Sequence, residues 1–262
     1  MHEAIKRIFT VNLAVKKDET VLVFTDVIGA PEKLSYEDTK RRRELKEIAQ
    51  DVTETGFAFC KTHYFEFQSV MGHGKEPPLP LWEAGFGVRA VKELSANGLL
   101  KKIIEKKAEK ADIITGEHII REFAKSPGAI IALSNFSTSH TRFRDYLTRC
   151  MNVRYASMPL FDKDMLNGAM SADWGQVEAR TMRLVEKLSG ADTVVITSHN
   201  GTSISFSMKD RQVQPDTGIL SKPGSFGNLP AGEAFLAPVE GTAEGTLVLE
   251  WAPTHKLKHP VE

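Results

Sequence analysis

The side chain with the clearest potential for metal chemistry is Glu233, in the segment Asn228-Leu-Pro-Ala-Gly-Glu-Ala-Phe-Leu-Ala-Pro238. Its carboxylate follows a Pro/Gly turn and precedes an apolar run, so the backbone holds it at a fixed corner. Carboxylate oxygens are good donors for divalent cations. Glu233 is therefore a candidate metal-binding donor, whereas Glu240 and Glu244 are expected to face solvent or to lie outside the direct metal ligands.

A second group of polar residues, Ser134-Asn-Phe-Ser-Thr-Ser-His-Thr-Arg-Phe-Arg144, follows an apolar run that ends at Leu133. Hydroxyls, one imidazole and two guanidiniums leave the carboxyl end of a predicted strand and enter a helix that Ser or Thr can cap. In open α/β sheets, ligands bind at this edge. Two interpretations stay open, namely helix capping with solvation and direct contact with a ligand.

Other patterns lack the context that their chemistry needs. Gly85-Phe-Gly-Val-Arg-Ala90 has the outline of a dinucleotide-binding turn, but it follows a Pro-rich loop, which favours a glycine-containing helix or loop. His118 and Glu122 would share a helix face, but two donors are at best half of a zinc site. The run Arg41-Arg42-Arg43 is interpreted as a solvated helix face, not a phosphate cradle.

The apolar periodicity predicts the elements that would position these groups. Predicted helices cover residues 2–14, 35–55, 99–110 and 174–188. Predicted strands cover residues 20–24, the stretch from 57, and 111–115, 129–133, 153–157, 192–198, 203–208 and 246–251. This alternation favours a doubly wound, mostly parallel α/β sheet with helices on both faces. We predict an α/β domain over 1–198 and, over 199–262, the start of a β-rich catalytic region that holds the metal site.

Composition excludes several classes of protein. The chain has 262 residues with 34 basic and 34 acidic side chains, so no global charge draws it to nucleic acid or to an anionic membrane. No apolar run is long enough to span a bilayer, and Met1–Arg7 lacks a signal-peptide core. Cys60 and Cys150 form no CxxC pair. We therefore expect a soluble, cytoplasmic protein that binds neither nucleic acid nor membrane.

The segment around Glu233 resembles the Asn-x-Pro-x-x-Glu-Val-Phe-x-x-Pro signature of the aminopeptidase T/aminopeptidase S metallopeptidases, in which the matching Glu binds metal. Ser134–Arg144 and Val153–Pro159 resemble a pattern in the amino-terminal domain of that family. Gly232 departs from it, because many members have an acidic residue there. The resemblance implies a homodimeric, leucyl aminopeptidase-like hydrolase that removes amino-terminal residues from short peptides with divalent Zn, Co, Mn or Mg.

In the resembled family, the other metal ligands are a further Glu, two His and an Asp, and they lie downstream of the matched region. His255 and His259 are poor substitutes, because Pro253 and Pro260 bracket them and disfavour a helix that presents both. A tail is the simpler interpretation. We expect a truncated or stand-alone relative that binds metal weakly, or not at all, and lacks appreciable peptidase activity.

Two alternatives remain. The first is an iron-dependent dioxygenase that opens the ring of hydroxypyridines, because such enzymes share this general scaffold and their iron ligands would also lie downstream. The second is a non-catalytic homodimeric binding or scaffold domain, in which backbone N–H groups satisfy Glu233. In either case, an apolar surface around Thr246–Trp251 is expected to be covered by a second copy of the chain.

Overall fold

The computed structural model describes residues 2–252 and 255–261, and the chain forms two compact units. The first unit comprises the chain up to Trp174 together with Gly218–Pro230. The second comprises Gly175–Thr217 and the chain from Ala231 onwards. A compact unit need not fold independently, so the division into domains at residue 198 stays a prediction.

The first unit alternates strands and helices. Its helices are α1 (His2–Arg7, continued by a π-helical turn over Ile8–Asn12), α2 (Tyr36–Gly56), α3 (Leu79–Phe86), α4 (Val88–Ala96), α5 (Leu99–Ile104), α6 (Lys110–Phe123), α7 (Arg142–Met151) and α8 (Lys163–Asn167). Its strands are β1 (Thr20–Val27), β2 (Lys61–Gln68), β3 (Ala129–Ala132), β4 (Arg154–Ser157) and, after an excursion of the chain into the second unit, β8 (Phe226–Asn228).

The five strands form one parallel sheet in the order β2-β1-β3-β4-β8. The chain passes from β1 to β2 on one side and then returns to β3 on the other side of β1. Right-handed crossovers therefore place α2 on one face of the sheet and α3–α6 on the opposite face. The predicted doubly wound α/β sheet is confirmed for this unit.

The core of the first unit lies on both faces of this sheet. Leu22 and Phe24 of β1 pack into a cluster with the aromatic side chains of the helical layer, among them Trp82, Phe86 and Phe143. The alternate residues of β1, Val21 and Val23, are also fully buried. Because successive side chains of a strand point to opposite faces, β1 is covered on both sides, as parallel sheets require.

The second unit is antiparallel. It contains α9 (Trp174–Leu188), whose first residue still belongs to the first unit. Its strands are β5 (Thr193–Thr197), β6 (Ser203–Ser207), β7 (Gln214–Asp216), β9 (Glu233–Phe235), β10 (Glu244–Thr246), β11 (Leu249–Ala252) and β12 (His255–Val261). These strands form a three-stranded sheet, β10-β6-β5, and two pairs, β7-β9 and β11-β12. The predicted strand over 192–198 is present, but it pairs antiparallel with β6 and does not join the parallel sheet.

Three local predictions are wrong. Residues 111–115 are not a strand but part of α6, whose start is fixed by a capping box between Glu109 and Asp112. The predicted single strand over Thr246–Trp251 is divided between β10 and β11, which pair with different partners. The expected tail contains β12, whereas Pro253, Thr254 and Glu262 lie outside the described residues.

Within the part of the chain that the structure describes, no helix combines the length and the apolar character that crossing a bilayer requires.

Candidate functional site

The Ser134–Arg144 segment lies where the sequence predicts, at the carboxyl ends of the parallel strands. It follows β3 and leads into α7, whose N-cap is Thr141. The Thr141 hydroxyl accepts a hydrogen bond of 3.1 Å from the Arg144 backbone N–H, which satisfies one free amide of the first helical turn. The capping role of this segment is therefore confirmed.

Most of the hydroxyls in this segment bond to one another or to β4. Ser139 Oγ lies 2.8 Å from Ser157 Oγ, and Thr138 Oγ1 lies 2.6 Å from the Tyr155 hydroxyl. Ser137 Oγ donates to Ser139 Oγ at 2.9 Å. These contacts fix the segment on the edge of the sheet. The hydroxyls serve mainly as structural partners, which leaves the charged and imidazole groups as the candidates for ligand contact.

A buried charge cluster anchors the same segment to β1. Asp26, near the end of β1, accepts hydrogen bonds from the backbone N–H groups of Asn135 at 2.5 Å and Phe136 at 3.4 Å. The Arg42 guanidinium lies 3.6 Å from Asp26 and also pairs with Glu32. Burial raises the pKa of Asp26, although the two amides and the Arg42 charge act in the opposite direction.

This cluster corrects the interpretation of the arginine run. Arg42 is buried between two carboxylates and Arg41 is half-buried, with its Nη2 donating to Asn135 Oδ1 at 2.6 Å, whereas Arg43 alone is exposed. Sequence reasoning did not single out Asp26, because its backbone partners, Asn135 and Phe136, lie about a hundred residues away along the chain. The signal that could have found it is a carboxylate at the carboxyl end of an apolar strand.

Two histidines belong to this site, since His140 lies within the Ser134–Arg144 segment and His73 contacts it. His73, in the loop between β2 and α3, accepts a hydrogen bond from the Ser137 backbone N–H through Nδ1 at 3.1 Å. The accepting Nδ1 carries no proton, so in the neutral ring Nε2–H is a donor. Gly74 also docks on Ser137 through a backbone hydrogen bond of 2.8 Å, and its ideal Cβ would lie 3.6 Å from the Cβ of His140. His73 and His140 are both exposed, and the backbone next to His73 lies beside the His140 side chain.

Arg144 is held within the site and not in open solvent. Its Nε donates to the Ser139 carbonyl at 2.7 Å, and its guanidinium lies over the Phe226 ring at 4.4 Å from the centroid. Burial lowers the pKa of Arg144, while the nearby Asp145 carboxylate raises it. The guanidinium stays charged at neutral pH, because arginine loses its proton only under strongly basic conditions.

Glu233 lies at the start of β9 in the second unit, and its side chain is exposed. In the antiparallel ladder it pairs in register with Asp216 of β7, and the N–H of Gly232 donates to the Asp216 carbonyl at 2.9 Å. Gly232 has φ of 127°, a value that disfavours the acidic residue that the resembled signature has there. Asp216, which is itself buried, is therefore the residue paired with Glu233 across the ladder, and sequence reasoning did not identify it.

The described residues do not fit a complete metal centre. A search of them finds no group of three or more His, Cys, Asp or Glu side chains that could hold a metal ion, whereas a stable divalent site needs at least three protein donors. Glu240 is solvent-facing, as predicted, and pairs with Arg211 at 2.5 Å. The side chains of His255 and His259 lie outside the described part.

The glycine pattern at Gly85 is a packing feature. Gly85 lies inside α3 with no strand before it, and a Cβ there would come within 2.8 Å of the Phe143 ring. The interpretation as a glycine-containing helix is confirmed. Close contact between two helices, not binding of a dinucleotide, accounts for this residue.

Comparison with known proteins identifies a family. The family model NicX, 2,5-dihydroxypyridine 5,6-dioxygenase, matches residues 91–254. The solved structure of a 2,5-dihydroxypyridine dioxygenase from Pseudomonas putida KT2440 matches with a TM-score of 0.54 and 14% sequence identity, over 94% of this chain and 58% of that chain. The chain thus spans little more than half the length of that structure, and at this identity the match shows the fold alone. No curated protein matches the sequence.

These matches overturn the resemblance to the aminopeptidase T/aminopeptidase S metallopeptidases. Neither the family model nor the solved structure is an aminopeptidase, so the assignments as hydrolase, metallopeptidase and aminopeptidase are wrong. The short segment around Glu233 led to the wrong family. A Pro/Gly turn before a carboxylate is weak evidence for a peptidase metal site unless the other ligands are also identified. Since the family model matches more than half of its length, the chain belongs to the 2,5-dihydroxypyridine 5,6-dioxygenase family.

Proposed function

We propose that this chain acts in the iron-dependent, oxygen-consuming opening of a hydroxypyridine ring. The observation that carries the proposal is the match of the dioxygenase family model to residues 91–254. The fold shared with the Pseudomonas putida dioxygenase agrees with it. This was the enzymatic alternative that the sequence left open beside the peptidase.

The carboxyl edge of the parallel sheet is the proposed place for contact with the substrate. A dihydroxypyridine is a flat ring whose hydroxyls can lose protons and can donate or accept hydrogen bonds. His73 and His140 offer two exposed histidines at this edge, and the Nε2–H of a neutral His73 can donate to a ring oxygen. Histidine exchanges protons near neutral pH, which suits it to this role.

A divalent metal is consistent with the family, and we propose Fe²⁺ in place of the Zn, Co, Mn or Mg expected for a peptidase. Glu233 remains the proposed ligand, supported by its exposed side chain at the start of β9. Because the described residues contain no three-donor group, further donors must come from outside them. The proposal therefore includes weak iron binding by this chain alone.

The test is an oxygen-electrode assay of the purified chain with 2,5-dihydroxypyridine and increasing Fe²⁺ in the absence of other metals. We expect slow, iron-dependent oxygen uptake, with one O₂ consumed per ring opened, and no hydrolysis of leucine amide. His73→Gln and His140→Gln should each lower the rate, whereas His63→Gln, on the edge strand β2, should not.

Two results would count against this function. Binding of 2,5-dihydroxypyridine without oxygen uptake at any Fe²⁺ concentration would favour the non-catalytic binding domain. Failure to bind the compound at all would remove the hydroxypyridine from the proposal.

We also propose that the chain is a homodimer in the cytoplasm. Support for association comes from the second unit, where Leu247, Leu249 and Trp251 are exposed by 47%, 48% and 66%. Large apolar side chains grouped in this way usually mark an interaction surface. Support for the compartment comes from Cys60 and Cys150, which are both buried free thiols, as is common in reducing compartments.

A further inference from the structure

A cavity of about 420 Å³ opens on the first unit between the start of α7 and the turn that joins α5 to α6. This volume suits a small organic ligand. The apolar part of the lining consists of Ile103, Ala108 and Ile113, from α5, α6 and the turn between them. The α7 wall carries the positive charges of Arg142, Arg144 and Arg149, and the turn adds that of Lys106. A ligand that matches this lining has an anionic group and an apolar body.

Two carboxylates also line the cavity, and both are already engaged. Glu76 accepts hydrogen bonds from the backbone N–H groups of Arg142 at 2.6 Å and Phe143 at 3.2 Å, at the start of α7. The Asp145 carboxylate lies within 3.6 Å of three guanidiniums, those of Arg142, Arg144 and Arg149. Glu117, beside the cavity, lies 3.5 Å from Arg149. The four cationic side chains still outnumber these three carboxylates, so the lining carries excess positive charge.

The cations that could reach a ligand are those whose side chains are most exposed. The side chains of Arg142 and Arg149 are 41% and 59% exposed, whereas that of Arg144 is only 18% exposed. Lys106 adopts φ of 56°, a left-handed conformation that is uncommon for a residue other than glycine. Such conformations concentrate at ligand-binding positions, where the surrounding structure holds them.

We propose that this cavity binds a small organic acid, whose carboxylate pairs with Arg142 and Arg149 and whose apolar body lies against Ile103, Ala108 and Ile113. Guanidinium groups bind carboxylates through parallel, charge-assisted hydrogen bonds. The apolar wall has no role for inorganic phosphate, which is polar on every side. The cavity shares His140 with the proposed substrate edge, but its ligand goes beyond the proposed ring-opening function, because 2,5-dihydroxypyridine has no carboxylate.

Titration calorimetry of the purified chain with four probes tests the proposal. Benzoate has both features, benzamide has the same shape without the charge, acetate has the charge without the ring, and inorganic phosphate is the fully polar anion. We expect saturable binding of benzoate, and binding of the other three that is weaker by roughly tenfold or more. The proposal is overturned if benzoate shows no saturable binding up to roughly 10 mM, or if benzamide or phosphate binds as tightly as benzoate.

Three variants place the binding in this cavity. Arg142→Gln and Arg149→Gln each remove one ligand-facing charge, and the backbone N–H of residue 142 still reaches Glu76. Each should weaken benzoate binding by roughly tenfold, while Arg43→Gln on the exposed face of α2 should leave it unchanged. Unfolding curves establish which variants are folded. Because Arg142→Gln and Arg149→Gln are separate variants, the site can still be tested if one of them fails to fold. Wild-type affinity in a folded cavity variant would contradict the site without affecting the oxygen-uptake result.

Discussion

Arg42 lies between two buried carboxylates, and its removal would leave both without a counter-charge. The side chains of Arg42, Asp26 and Glu32 are 1%, 1% and 5% exposed. Breaking a buried ion pair by removing one partner costs about 3–5 kcal/mol, because the remaining charge stays desolvated. We expect Arg42→Met to lower the free energy of unfolding by about that amount in urea denaturation at neutral pH.

The neighbouring arginine supplies a matched control for this experiment. Arg43 is exposed on the same helix, so Arg43→Met should change the free energy of unfolding by less than about 0.5 kcal/mol. Equal effects of the two substitutions would mean that the cluster does not stabilise the first unit.

Asp26 gives this cluster a pH dependence with a definite sign. Burial raises the pKa of Asp26 above its ordinary value of 3.8, so the folded state holds the proton more strongly than the unfolded state. The stabilisation that results is complete below pH 3.8 and is lost as the pH rises through the folded-state pKa. Asp26→Asn removes this titration.

The free energy of unfolding of the wild type, relative to that of Asp26→Asn, should therefore fall as the pH rises from about 4 towards neutral. Asp51→Asn, at an exposed position on α2, should follow the wild-type curve. A wild type that gains stability over Asp26→Asn in this range would show that the amide and Arg42 contacts outweigh burial.

Glu233 permits a test of the metal proposal that does not depend on enzyme activity. With no three-donor group among the described residues, Mn²⁺ used as a redox-stable probe should bind only in the roughly millimolar range. Glu233→Gln should weaken that binding severalfold in calorimetry, whereas Glu244→Gln in the same unit should not. Unchanged binding by Glu233→Gln would remove Glu233 from the ligand set.

At the scale of elements, Gly85 fixes how closely α3 and α7 approach. An ideal Cβ at this position would lie 2.8 Å from a fully buried Phe143 ring, which must then move. Overpacking of this kind costs about 1–3 kcal/mol, partly offset by the higher helix propensity of alanine. Gly85→Ala should lower the melting temperature.

Gly190 is the control for this substitution, because a Cβ there meets nothing within 4 Å. Gly190→Ala should leave the melting temperature nearly unchanged. A Gly85→Ala protein as stable as the wild type would show that α3 can shift without cost.

The elements that the sequence predicted well are those whose apolar periodicity extends over several turns or whose ends carry capping residues. The helix over 174–188 has the predicted bounds, and α2 begins after Ser35, whose hydroxyl accepts from the Asp38 N–H. The error at 111–115 arose because five apolar-rich residues fit a strand or a helix equally well. Only the capping box and the later buried Ile119 and Ile120 distinguish α6 from a strand.

Strand pairing was the part of the fold that local sequence could not specify. The run at 192–198 has the composition of a central strand, yet most of β5 is exposed and it pairs with β6. For the candidate site, the position of Ser134–Arg144 followed from the rule for parallel sheets. Its anchoring by Asp26 and Glu76 did not, because contacts between segments 66 to 110 residues apart leave no spacing signal.

At the scale of the whole molecule, the second unit carries several large apolar side chains that are exposed to solvent. Exposed large side chains include Met182, Leu184, Val195, Phe235, Leu249 and Trp251. Trp251, which is 66% exposed, is the largest side chain among these and is expected to lie near the centre of the contact with a second copy. We therefore expect light scattering to give the mass of a dimer at micromolar concentrations.

Trp251→Glu should shift this equilibrium to the monomer, because a carboxylate on an apolar contact surface must be desolvated without a partner. Tyr36→Glu is the matched control, since Tyr36 is 79% exposed in the first unit, at the start of α2, where an acidic side chain is well tolerated. A wild type that scatters as a monomer would contradict the homodimer outright. A dimer that persists in Trp251→Glu and is lost in Tyr36→Glu would place the contact on the first unit instead.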